Sequence, residues 1–308
     1  MPFQKACIAK HSRRHFLSST AASLGSATAL PAMAQGRKEK KRRDKERKET
    51  ITGPYDFSDP YDCLAAYTKT RGRLDGSVGI FHYVAHVYGV PDGQVAQLMY
   101  RREGISQHRM TIRKDRTIDC QIIECNYVQN AVTGAIVDDF FDNPLTGNLV
   151  PVHHQPPIPG PLVRINPTGG FRPNVIWEPP AAFVNIVEPP LFGEGRVFFN
   201  DDLLMYNPQP EGSLPPGNPR SDELQWTQLT TFSASTVDVQ NPELMSAKSF
   251  AFVIADIPWA NWLGMDKLPG NILTRYLAEK INNIEEIPKW LRQRIDTDHP
   301  NFFSDPGI

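Results

Sequence analysis

The chain has 308 residues, 40% hydrophobic and 22% charged, with four cysteines and a formal net charge of −1. That length can bury a large core, and length and cysteine count together exclude a small disulfide-stapled scaffold. Residues 1–50 hold 13 of the 33 Lys and Arg but only 4 of the 34 Asp and Glu, which leaves residues 51–308 near −10 and disfavours nucleic acid as their partner.

The N-terminus opens with basic residues, and the run Ser12, Arg13, Arg14, His15, Phe16, Leu17 precedes a mildly apolar stretch that closes on Ala32, Met33, Ala34. Charged start, short apolar middle and small-residue end predict a removable export signal over residues 1–34. The Arg13–Arg14 pair predicts the twin-arginine type, hence the twin-arginine translocase as partner and a periplasmic destination. The stretch is too short and polar to anchor in a bilayer. Residues 35–50 carry no apolar side chain to bury and predict a solvated linker. Residues 51–308 are read as one domain.

Residues 78–90 (VGIFHYVAHVYGV) are β-branched and aromatic and end at Pro91, Asp92 and Gly93, a strand followed by a turn. Residues 94–102, 106–113 and 117–128 continue as further strands of an antiparallel meander. Residues 135–141 and 149–154 flank the turn-rich 142–147 and predict a hairpin. Residues 151–220 contain 16 of the 28 prolines and predict short edge strands and long loops that cover or line a site. Within them Gly193, Glu194 and Gly195 make a loop. Strands resume at 224–235 and 247–254. Ile272, Leu273, Tyr276, Leu277, Lys280 and Ile281 then give a helical stripe after Gly270, and Pro288 opens a second helix carrying Trp290, Leu291 and Ile295. The expected fold is mainly β: an antiparallel barrel or strongly curved sheet, lipocalin-like in size, with long Pro-rich loops and C-terminal helices. Cys7 leaves with the signal; Cys63, Cys120 and Cys125 are expected as free, buried thiols, the last two on opposite strand faces.

Residues 56–62 (DFSDPYD), the strand with Tyr83 and Tyr88-Gly89, the sequence Asn143-Pro144-Leu145-Thr146-Gly147 followed by Val152-His153, and residues 259–265 (WANWLGM) resemble the bacterial and fungal family catalogued as domain of unknown function 1838. The resemblance runs from residue 55 to the C-terminal end. It implies the domain boundaries and agrees with twin-arginine export, which that family often uses; it implies no activity or catalytic residue.

His82, Val84, His86 and Tyr88 share one face of the 78–90 strand and Phe81, Tyr83, Ala85 and Val87 the other. In a closed barrel the imidazole-bearing face could line the interior. His82 and His86 could hold a metal only with a third ligand such as His108, Glu124 or His153, and no cofactor is otherwise implied. His153 or His154 could serve as general acid or base, with the family resemblance favouring His153, and Asp138 or Asp139 supplies a carboxylate, of which we select Asp139. Arg101 or Arg102 could clamp a substrate carboxylate. No G-x-G-x-x-G, G-x-x-x-x-G-K-[ST] or G-x-S-x-G motif occurs.

These residues suggest an exported protein that binds a hydrophobic small molecule and acts as a cofactor-independent isomerase, lyase or hydratase by proton transfer. His153, Tyr83 and Asp139 are the candidate catalytic residues, with Tyr88 or Tyr206 as alternative hydrogen-bond donors. His82, His86, Tyr88, Arg102, His108, Asn143, Tyr206, Trp226 and Trp262 are candidate ligand contacts, Trp259 and Trp262 either capping a pocket or packing in the core. The alternatives are a non-catalytic carrier and a metal-dependent enzyme using His82 and His86.

Overall fold

A computed structural model describes residues 52–171, 182–208, 223–265 and 267–308. The expected signal at 1–34 and linker at 35–50 lie outside these residues, as do the Pro-rich stretches 172–181 and 209–222.

Ten antiparallel strands close into a barrel. In chain order they are β1 (Val78–Pro91), β2 (Gln97–Ile112), β3 (Ile118–Asn130), β7 (Val163–Asn166), β8 (Gly169–Phe171), β9 (Ala182–Val187), β11 (Arg196–Pro208), β12 (Glu223–Ser235), β13 (Ser249–Ile257) and β14 (Gly270–Ile281). Around the wall they run β11-β12-β13-β14-β1-β2-β3-β7-β8-β9 and back to β11. Outside this circuit, β6 (Gln155–Pro159) pairs with β3, β10 (Leu191–Gly193) pairs with β11, and β4 (Phe140–Asp142) with β5 (Leu149–Pro151) forms a separate hairpin. On β1 every second residue is buried, and Phe81, Tyr83, Ala85 and Val87 point inward. The imidazole-bearing face of β1 is therefore the outer one, contrary to the interior placement considered for it. Apolar side chains take the dry side of the wall.

Helix α1 (Pro60–Arg71) plugs one end. Asp59 caps it by accepting from the Tyr61 amide at 2.8 Å, and Pro60 supplies a pre-set first turn. Ala65 and Ala66 let it fit inside the barrel, where Leu64 and Tyr67 pack among Phe81, Met110, Phe199 and Phe232. Two buried lysines hold it. Lys280 of β14 donates to the carbonyls of Lys69, Thr70 and Gly72 at the C-terminal end of α1. Lys69 reaches the carbonyls of Val239 and Asn241 at the end of α2 (Thr236–Gln240). Both cations meet the negative end of a helix. The opposite end is filled by Phe141 and Val150 of the β4–β5 hairpin with Tyr100, Trp259, Leu263 and Met265. Helix α3 (Lys289–Asp298) lays Leu291 and Ile295 over the outer side chains of β2 and β3, which are thus buried on both faces.

The helix expected at residues 272–281 is strand β14. Its central position between β13 and β1 buries inward Ile272, Thr274, Tyr276 and Ala278 against the lumen, while Leu273 and Leu277 sit outside, so apolar residues on both faces imitate a helical stripe. Residues 94–102 and 106–113, taken as separate strands, form the single β2. Gly104 between them marks a close approach and not a break: a Cβ there would lie 2.3 Å from the Cys125 carbonyl oxygen. The sequence reading did not anticipate α1. Glu194 and Gly195 turn the β10–β11 hairpin with φ of 49° and 74°. Cys63, Cys120 and Cys125 are free and buried, Cys120 on the lumen side and Cys125 under α3. No helix among the described residues is long and apolar enough to cross a membrane.

Candidate functional site

Between the two plugs lies a cavity of about 160 Å³. Strand parity decides what faces it. The even-numbered residues of β2 point inward, so Arg102, Ser106 and His108 line the lumen, as do Ile122 and Glu124 of β3, Trp226, Gln228 and Thr230 of β12, and Tyr276 of β14. Phe81 and Tyr83 of β1 and Arg71 at the end of α1 complete it. A second cavity of about 250 Å³ adjoins it, sharing Arg71, Ile122, Glu124, Gln155 and Gln228. This one is bounded by the Pro-rich part of the chain through Ile158, Pro161, Val163, Phe183 and Leu203. The Pro-rich region, expected to cover or line a site, thus bounds a cavity.

Arg71, His108 and Ser106 form a hydrogen-bonded chain whose direction can be read. Arginine has no acceptor, so Arg71 Nε donates to His108 Nδ1 at 3.1 Å and fixes that nitrogen as unprotonated. His108 is then the neutral Nε2–H tautomer and donates to Ser106 Oγ at 2.7 Å. Burial drives the His108 pKa well below its ordinary value, with Arg71 and Lys280 adding to the effect. The Ser106 hydroxyl keeps its own hydrogen for the lumen, and Ser106 and Gln155 both draw the Glu124 pKa down. Gln155 Oε1 accepts from Asn126 Nδ2 at 2.7 Å. The same Asn126 nitrogen donates to Tyr83 Oη at 2.9 Å. At the α1 end, Arg71 also binds Tyr67 and Asp201, and Asp201 is held further by Asn185.

Burial raises the Glu124 pKa above its ordinary value, against the opposing pull of Ser106, Arg102, Arg71 and Gln155. Its remaining accessible surface opens into the cavities. Tyr83 and Tyr276 meet edge to face at 5.5 Å, and burial pushes Tyr83 well up and Tyr276 to about 12, so both phenols are neutral donors at physiological pH. Arg102 is enclosed, and its hydrogen bond among the described residues is from Nη2 to Tyr100 Oη at 3.3 Å, while Nε is buried without a partner. The Trp226 indole nitrogen is likewise buried and has no hydrogen-bond partner among the described residues.

The cavity thus gathers Tyr83, Arg102, His108 and Trp226 from the sequence candidates. The others lie elsewhere. His82, His86 and Tyr88 are on the outer face of β1, and His82 Nε2 lies 2.9 Å from Glu103 Oε1. His108 and Glu124 face the lumen, on the other side of the wall from His82 and His86, and His153 lies near the hairpin plug. No group of three potential ligands is gathered among the described residues. His153 is exposed and stacks on Trp262, ring centroids 6.3 Å apart. Asp139 is exposed, and it is neighbouring Asp138 that binds His154 and Arg294. Asn143 is fully buried and ties the hairpin to the Leu263 carbonyl at 2.7 Å. Trp259 and Trp262 pack in that same plug. Tyr206 belongs to the outward row of β11 with Leu204.

Arg71, Ser106 and Tyr276 escaped the sequence reading. The Asp59-Pro60 start of a capped helix was a signal for Arg71, and counting in twos from Arg102 would have reached Ser106 and His108 together.

Fold and site define a closed antiparallel barrel with an internal, polar-sided cavity. Comparison with protein-family models, curated proteins and solved structures finds no match to this chain.

Proposed function

We propose that this chain is an exported barrel that binds a hydrophobic small molecule and moves a proton on it, as an isomerase or lyase does. The observation that carries this reading is Glu124: a carboxyl with a raised pKa, lining both cavities beside the Arg71–His108–Ser106 chain and opposite the aromatic rings of Tyr83, Trp226 and Tyr276. Glu124, once ionised, takes a proton from a carbon next to a substrate carbonyl, and the C–H electron pair moves into the carbonyl to leave an enolate. Tyr83 is placed to stabilise that oxyanion, because its oxygen already accepts from Asn126 and its own hydrogen is left for the lumen. In a substrate whose C=C lies next to that carbon, the enolate is conjugated, and return of the proton to the far carbon of the C=C moves the double bond and completes an isomerisation without a redox partner. The proton-carrying role assigned to His153 from sequence passes to Glu124, since His153 does not line either cavity.

A ligand recovered from natively purified protein, incubated with it in D2O, should exchange its activated carbon-bound hydrogens. Glu124→Gln should bind the ligand and lower exchange by roughly 10²-fold or more. Retention without exchange in the wild type would instead establish a carrier. Export follows from the Arg13–Arg14 pair: replacing both by lysine should leave the protein in the cytoplasm, and the exported form should begin near Gln35. Free, buried thiols suit a chain that folds before export.

A further inference from the structure

We infer that the ligand is a small carboxylic acid bound as its carboxylate, with Arg102 as the group that recognises it; this rests on the lumen being the binding site proposed above. The argument is one of charge. Two guanidinium groups face the cavity. Arg71 is neutralised by Asp201 and has partners in Tyr67 and His108. Arg102 has no ion pair among the described residues, a single hydrogen bond to Tyr100, and a buried Nε–H without an acceptor. Glu124 lines the same cavity and feels the Arg102 charge, but it does not form an ion pair with it among the described residues. An arginine keeps its charge even when enclosed, and an uncompensated buried charge is costly. Such a fork is completed by a planar anion that accepts two parallel N–H bonds, the geometry of a carboxylate. The Trp226 N–H, without a hydrogen-bond partner among the described residues, faces the same space. Size and walls define the rest of the ligand. A cavity of about 150 Å³ admits one benzene-sized ring, this one measures about 160 Å³, and Phe81, Tyr83, Trp226, Phe232 and Tyr276 wall it. The class is a monocyclic aromatic or comparably compact unsaturated carboxylic acid, whose substituents would extend into the adjoining cavity of about 250 Å³.

Matched pairs test this: benzoate against benzamide, and cyclohexanecarboxylate against its carboxamide, titrated calorimetrically into wild type, Arg102→Gln and Arg102→Lys. The expected result is a preference for each carboxylate of roughly tenfold or more in the wild type, reduced in Arg102→Lys and lost in Arg102→Gln. Thermal unfolding of the ligand-free proteins supplies a readout that a structural arginine would move the other way. Arg102→Gln should melt at or above the wild-type temperature, because it removes an unpaired buried charge. Equal binding of acid and amide by the wild type, a preference that survives in Arg102→Gln, or a variant that melts lower or fails to fold would each overturn the inference. Carboxylate preference without hydrogen exchange in D2O would leave it standing and remove the proton-transfer reading; exchange on neutral ligands alone would do the reverse.

Discussion

At the scale of single residues, the chain Arg71–His108–Ser106 fixes the His108 tautomer. Ser106 draws the Glu124 pKa down and thereby favours its ionised form. Ser106→Ala should therefore move the Glu124 pKa further up, as followed by carbon NMR of the side-chain carboxyl; a downward move would place the serine proton elsewhere. His108 makes the opposite contribution to stability against pH. Its folded pKa lies well below 6.5, so the unfolded chain binds the proton first as pH falls, and stability drops below pH 6.5 until the folded pKa is reached. The slope approaches about 1.4 kcal/mol per pH unit for one proton. His108→Gln, which can accept from Arg71 and donate to Ser106, should flatten that part of the urea-unfolding profile by about that slope. Five of these lumen residues were legible as candidates, Tyr83, Arg102, His108 and Trp226 as site residues and Glu124 only as a third metal ligand, but not as one site. Alternation of polar and apolar residues marks the inner row only where the outer row meets water, and on β2 and β3 the outer row is buried under α3.

Among the elements, α1 and β14 were the two whose sequences misled, and they are joined to each other. Lys280 reads as the polar edge of a helical stripe, yet it is an inward residue of β14 whose ammonium reaches the open carbonyls of α1. Burial pushes its pKa down, with Arg73 adding to this, but three carbonyl acceptors require three N–H donors, which only the charged form has. We assign it as an ammonium. Lys280→Met should cost about 3 kcal/mol, the scale of leaving buried carbonyls unsatisfied, measured as a shift in urea midpoint without a change in slope. A cost under about 1 kcal/mol would mean that water replaces the amine. The long strands β1, β12 and β13 were legible because β-branched and aromatic residues dominate them between clear turn signals. Helix α1 was not, because nearly its whole circumference is buried, polar residues included, and it has no solvent stripe to set its period.

For the whole molecule, the barrel wall is uneven in strength. β11 and β12 pair along their full length, from Arg196 opposite Ser235 to Pro208 opposite Glu223, and β1 pairs with β14 from Ile80 to Pro91. Among the described residues the circuit closes through β8 and β9 at a single register pair, Gly170 opposite Asn185. Local opening follows the sparsest pairing, so this seam, beside the larger cavity, is the natural path for a ligand. Asn185 links the seam to the site, because its side chain binds Asp201, the partner of Arg71. At Gly170 a Cβ would lie 2.8 Å from the Asn185 Cβ and 2.9 Å from its Oδ1, so any side chain there drives β8 and β9 apart. Gly170→Val should therefore destabilise the protein by about 2 kcal/mol, the usual scale of overpacking, and do so locally. Hydrogen-exchange mass spectrometry should find faster exchange in β7, β8 and β9 with β12, β13 and β14 unchanged, and benzoate should dissociate faster. Acceleration spread evenly over all ten strands would show that the wall opens as one unit, and the ligand path would then have to be sought at the plugged ends.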